Sequence, residues 1–182
     1  MFPALYFFIS GNGRFKDLLS LKGGRKNIKI SVITGLCVFA FIQAAFMLLR
    51  PFFDEAMIAG TLENNGITSG NFPLIFIYII LINAALEEIF FRGFIFLTVY
   101  SKGFKLYAHI YSCLLFAFYH VAILNNAVSL GLLIFLIFGL AAAGLIFNYF
   151  AMKCGSVAGS LIVHISANLS LNLIVGLYYL FG

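Results

Sequence analysis

Polar residues interrupt this chain only at long intervals, leaving apolar runs at Ile28–Leu49, Phe72–Tyr100, Phe104–Leu124, Val128–Met152 and Val157–Phe181. A helix needs about 20 apolar residues to cross a hydrocarbon core about 30 Å thick, and each run reaches or exceeds that length. The runs are unbroken, without the short alternating segments and regular turns that a membrane β-barrel requires, so the backbone polar groups must be satisfied within helices. The pattern predicts an all-α fold, a polytopic membrane helical bundle of five transmembrane helices. A sixth is expected only if the apolar stretch Met1–Ser10, about 15 Å long as a helix, belongs to a longer one; alone it fits the membrane interface. That stretch lacks the basic start and small-residue cleavage site of a signal peptide. No repeat, low-complexity segment or linker divides the chain, so residues 1–182 are expected to form a single membrane-embedded domain.

Composition agrees with the pattern. Hydrophobic residues make up 63% of the chain and charged residues 9%, with mean hydropathy +1.09, against about a quarter charged residues in soluble domains. The net charge of +5 is unevenly placed: Arg14, Lys16, Lys22, Arg25, Lys26 and Lys29 precede the first run, Lys102 and Lys105 separate the second and third, and Lys153 separates the fourth and fifth. These are alternate loops, so the positive-inside rule predicts a cytoplasmic amino terminus in the cell membrane. The opposite loops hold Asp54, Glu55, Glu63 and Asn125-Asn126, with Arg50 as the exception. The basic residues are therefore expected to meet the lipid bilayer, and no aromatic-interleaved basic stripe suggests nucleic acid. Cys37, Cys113 and Cys154 form no paired motif and are expected to be packing residues rather than a disulfide or thiolate metal site. Gly155 and Gly159 are spaced for a close helix contact.

Against this background the polar residues inside the runs stand out. An ionisable group at mid-bilayer depth costs about 2.5–3.5 kcal/mol on insertion scales, yet the second run holds Glu87, Glu88 and Arg92. Glu88 and Arg92 are four residues apart on one helical face, in the favourable acid-first order, and are expected to pair; Glu87 points about 100° away, towards the interior and Asn83. A packing clamp alone needs one acid, and the second adds a desolvation cost without a visible partner. In the third run His120 follows Phe116 by one turn, and in the fifth Ser160, His164, Asn168 and Asn172 recur every four residues as a polar stripe. For Ser160 and Asn172 hydrogen bonding between helices is expected. His109 belongs to no pattern and is expected at the interface.

A carboxylate, two imidazoles and a carboxamide suffice to hydrolyse an amide without a serine nucleophile. A desolvated carboxylate beside a histidine can act as general base on water, and donors from another helix can stabilise the oxyanion that forms. The expected division gives the water to Glu87 and His120 and the oxyanion to His164 and Asn168, with Glu88, Arg92 and Phe116 in support. Straight, perpendicular spans would set Glu87 about 22 Å but His120 only about 6 Å from the span ends opposite the basic loops, so tilt, a kink or a shifted boundary is required.

At these residues the sequence resembles the CPBP family, the CAAX-protease and bacteriocin-processing (Abi-type) intramembrane endopeptidases. The motifs stand in order as Glu87-Glu88-Ile89-Phe90-Phe91-Arg92, Phe116-Ala117-Phe118-Tyr119-His120 and His164-Ile165-Ser166-Ala167-Asn168, with Gly139, Gly144 and Gly155-Ser156 before the last. The likeness covers about residues 72–172. It implies a glutamate-dependent protease without metal or other cofactor, in which Glu87, His120, His164 and Asn168 take the roles just given. The implied partner is a peptide or protein substrate at the membrane, prenylated in some relatives; bacterial relatives also serve in peptide processing or bacteriocin self-immunity. Three rivals compete: a zinc peptidase using two His and one Glu without H-E-x-x-H, a non-enzymatic immunity or scaffold protein, and a transporter or proton relay.

Overall fold

The computed structural model describes residue 20 and residues 24–52, 60, 62–64, 66–124 and 129–181. The expectations for Met1–Ser10, Arg14, Lys16, Lys22, Asp54, Glu55 and Asn125-Asn126 lie outside the described residues. Among those described, regular structure is helical throughout, as the apolar pattern predicts: α1 (Gly24–Leu49), α2 (Phe72–Ser101), α3 (Lys105–Leu124), α4 (Leu130–Cys154) and α5 (Ala158–Phe181), with a short 3₁₀ turn at Arg50–Phe52. α1, α2, α4 and α5 are long and apolar enough to cross a membrane, and α3 adds 20 residues packed among them. The bundle wears its apolar residues outside, with Leu48, Leu74 and Phe138 more than 70% exposed, as expected where lipid is the solvent.

Without a hydrophobic force between helices in lipid, small residues and hydrogen bonds must hold the bundle. α1 runs parallel to α5 on such a seam. Ser170 Oγ donates to the Phe39 carbonyl at 3.0 Å, Gln43 Nε2 donates to the Ser170 carbonyl at 3.0 Å, and Gly35 lies against Ser166. A Cβ at position 35 would meet Ser166 Oγ at 2.5 Å, whereas one at Gly139 meets nothing within 4 Å. Gly35→Ala should therefore cost about 1–3 kcal/mol by overpacking, while Gly139→Ala should be neutral or slightly stabilising; thermal unfolding in detergent compares them. The expected close contact holds for Gly159, whose Cβ would meet Ser31 Oγ at 2.9 Å, but not for Gly155. Gly155 instead ends α4 with φ +61°, a left-handed conformation that glycine adopts without steric cost.

Apart from Arg50 beyond the far end of α1 and the buried Arg92, the described basic residues gather at one end. Asn27 Nδ2 donates to the Lys153 carbonyl at 2.9 Å, bringing the start of α1 beside the end of α4, and Lys102 and Lys105 flank the α2–α3 turn. From that turn Glu87 and His120 are each about 20 Å up their helices, so their depths agree. The discrepancy measured from the opposite end arises because α2 has 30 residues and α3 only 20, with the excess beyond His120.

α3 and α4 pack closely where Gly144 meets Cys113, and a buried polar staple joins them to α2. Ser112 Oγ lies 3.0 Å from the Phe91 carbonyl and 3.1 Å from Asn148 Oδ1, and Asn148 Nδ2 donates to the His109 carbonyl at 3.2 Å. His109 packs its ring against Phe96 and Tyr100, so it is a bundle contact as well as near the basic end. Cys113 and Cys154 are buried and unpaired, as expected of packing residues; Cys37 is exposed on α1 and is not one.

Candidate active site

α2 is not a regular α-helix. It widens into π turns at Tyr78–Asn83 and Glu88–Leu97, separated by an α-helical turn at Ala84–Glu87. In the first, the Ala84 N–H reaches back five residues to the Ile79 carbonyl. Such turns insert residues into the helical phase and concentrate at functional sites. Here the buried side of the second includes Glu88, Phe91, Arg92, Ile95 and Phe96, and Glu87 immediately precedes it. Both acids face the interior, 7% and 0% exposed.

Each acid organises a different set of partners. Glu88 Oε1 lies 3.1 Å from Arg92 Nη1 and 2.9 Å from His164 Nδ1. Arg92 is enclosed by rings, with Cζ 4.3 Å from the centroid of Phe116, 4.8 Å from Phe147 and 5.8 Å from Phe91. Cation–π attraction strengthens on desolvation, so this enclosure offsets part of the cost of burying the guanidinium. Phe147 also stacks on His164 at 4.9 Å, and Phe116 stands edge-on to it at 5.8 Å. Glu87 turns its Oε1 to Asn83 Nδ2 at 2.7 Å and its Oε2 towards the Nε2 atoms of His164 and His120, at 3.7 and 3.9 Å.

Hydrogen-bond polarity fixes the proton positions. The Phe116 carbonyl can only accept, so its 2.8 Å contact with His120 Nδ1 places a proton there. In the neutral ring His120 Nε2 is then a lone pair facing Glu87. His164 Nδ1 donates to the Glu88 carboxylate, which leaves His164 Nε2 protonated only when the ring is an imidazolium.

The structure thus brings Glu87, Glu88, Arg92, Phe116, His120 and His164 into one cluster from three helices. Asn168 lies one turn beyond His164 on α5, outside this set of contacts but on the same side: one Nδ2 hydrogen goes to the Ile79 carbonyl at 3.3 Å, tying α5 to the first π turn of α2. One expectation needs correction. Asn172 hydrogen-bonds within its own helix, to the Asn168 carbonyl, and does not bridge helices through that bond. Ser160 donates to the Val157 carbonyl at 3.0 Å and also meets the Glu88 carboxylate of α2, the contact between helices expected of it. Glu88 pairs with Arg92 as expected and has His164 and Ser160 as further partners. Asn83 was visible as a polar residue one turn before Glu87, and Ser112 and Asn148 were equally visible in apolar runs, whereas Phe147 carries no signal among so many phenylalanines.

Among the described residues no group of three or more His, Cys, Asp or Glu side chains is arranged to hold a metal ion. Tetrahedral zinc with bonds near 2.0–2.1 Å needs donor atoms about 3.3 Å apart, closer than the 3.7 and 3.9 Å separations at Glu87 Oε2.

The sequence model of the family described as type II CAAX prenyl endopeptidase Rce1-like matches residues 69–170, which include every residue of the cluster. The chain belongs to this family. Comparisons with curated proteins and with solved structures give no match. Membership in the Rce1-like family gives the chain a protease-like function and, with its apolar helices, makes it an integral membrane protein. It also agrees with the likeness to the broader CPBP group seen in the three motifs.

Proposed function

We propose that this Rce1-like protein is an intramembrane endopeptidase in which Glu87 and His120 activate a water molecule. The observation that carries the reading is the meeting of one buried carboxylate oxygen, Glu87 Oε2, with two imidazole Nε2 atoms at 3.7 and 3.9 Å. Two acceptors at that separation are too far apart for a direct hydrogen bond and near enough for one water to donate to both. Glu87 takes a proton from that water as its oxygen attacks the scissile carbonyl carbon. The resulting oxyanion accepts from His164 Nε2–H and from the second Nδ2 hydrogen of Asn168, the first being held by Ile79. Collapse of the tetrahedral intermediate breaks the C–N bond, and the departing amine takes the proton from Glu87.

His164 works in this scheme as an imidazolium. Glu87 and Glu88 then balance Arg92 and His164, so the buried cluster carries no net formal charge, the arrangement least penalised in a low-dielectric interior. Glu88 both holds the ring and compensates its charge.

Neither a metal nor another cofactor takes part. Chelator treatment should leave hydrolysis unchanged, and the purified protein should contain no stoichiometric zinc by elemental analysis; loss of activity restored by added zinc would favour the peptidase with His and Glu ligands. The substrate is a peptide or protein at the membrane, prenylated as the family description implies. The basic end faces the cytoplasm in the cell membrane, with the amino terminus inside. The decisive comparison is of membrane peptidomes from cells carrying wild type or Glu87→Gln. Uncut precursor should accumulate in the mutant; identical profiles while a wild-type product is detected would favour a non-enzymatic immunity or scaffold role.

A further inference from the structure

The two oxygens of an isolated carboxylate are equivalent, but those of Glu87 are not. Oε1 accepts from Asn83 Nδ2 at 2.7 Å, while Oε2 is buried, has no hydrogen-bond partner among the described residues and faces the imidazoles. The last torsion of a glutamate is broad and roughly two-fold, so packing alone sets its plane weakly. A hydrogen bond from a neutral amide to a charged oxygen sets it strongly. Asn83 is itself well placed to do so. It closes the π turn Tyr78–Asn83, and the Ile79 carbonyl within that turn accepts from both the Ala84 N–H and Asn168 Nδ2, which anchors the turn to α5.

We propose that Asn83 is a positioning residue for hydrolysis: its carboxamide holds Glu87 Oε1 so that Oε2 alone addresses the water. Asn168 contributes through the Ile79 carbonyl by fixing the turn that aims Asn83. The proposal rests on the reading of Glu87 as general base. It also gives the first π turn a purpose, since that turn joins the α5 anchor to the carboxylate.

The test is kinetic and thermodynamic, using the full chain in proteoliposomes with a quenched fluorescent peptide ending in a prenylated CAAX sequence. A misplacement near 1 Å can reduce turnover by about 100-fold, so Asn83→Ala should lower kcat by about 10- to 100-fold with KM within about two-fold. Asn83→Gln keeps the donor and should recover part of the loss. Asn83→Asp keeps the shape but sets an anion against Glu87, and should fall below Asn83→Ala; a packing role would place Asp at or above Ala and would overturn the proposal. Should Asn83→Ala fail to accumulate, Gln against Asp carries the comparison. An activity-free reading comes from thermal unfolding: Asn83→Ala should lower the melting temperature in wild type but not in a Glu87→Ala background. Equal losses in both backgrounds would refute the link, whereas full activity of Glu87→Gln would instead remove the general base while leaving the link intact.

Discussion

Glu87→Gln should lower kcat/KM by about 100- to 10,000-fold, the range attributed to a positioned general base, while leaving the helical bundle folded. Gln has nearly the same shape, and its carbonyl can still accept from Asn83, whose bond to Glu87 Oε1 is 2.7 Å. What disappears is the site on Oε2 that receives the water proton. Hydrolysis of a prenylated CAAX peptide in proteoliposomes measures the loss, and unchanged circular dichroism and elution volume exclude unfolding. Retention of more than a tenth of wild-type turnover would remove Glu87 from the chemistry.

The second large effect concerns stability. Arg92→Met leaves Glu88 fully buried without the guanidinium that lies 3.1 Å away, and breaking a buried pair from one side costs about 3–5 kcal/mol. The melting temperature in detergent should fall sharply. Glu88→Gln combined with Arg92→Met removes both charges and should recover much of the stability, because apolar or neutral replacement of a whole buried pair is often tolerated. It should not recover hydrolysis, since His164 Nδ1 would lose the carboxylate 2.9 Å away that compensates its charge. Equal melting temperatures for wild type and Arg92→Met would show that the pair is not what holds α2 in place.

Much of this architecture was legible in the residues. Each apolar run lies close to a helix because backbone groups in lipid have few alternatives, and the ends shift only by the residues that the loops can absorb. The clustering of Glu87, His120 and His164 was legible because charge at that depth demands a partner. The division of labour between the acids was only half legible: spacing paired Glu88 with Arg92, but no local rule links residue 88 to residue 164. The π turns were invisible, since Glu88 and Arg92 mark a polar site in the run but no residue pattern at Tyr78–Asn83 or Glu88–Leu97 signals a change from four-residue to five-residue hydrogen bonding. The same holds for Phe147, whose place over Arg92 and His164 comes from the crossing of α4 with its neighbours.

The unequal lengths of α2 and α3 place opposing demands on the surrounding lipid. At 1.5 Å per residue the 20 residues of α3 span about 30 Å, matching an average hydrocarbon core, whereas the 30 residues of α2 exceed it even after allowance for its wider turns. One scaffold therefore presents two hydrophobic thicknesses side by side, and the bilayer must deform, or α2 must lean, to accommodate both. Because His120 sits one turn from the end of the shorter helix, acyl-chain length becomes a determinant of how near the headgroup water comes to the reacting carboxylate.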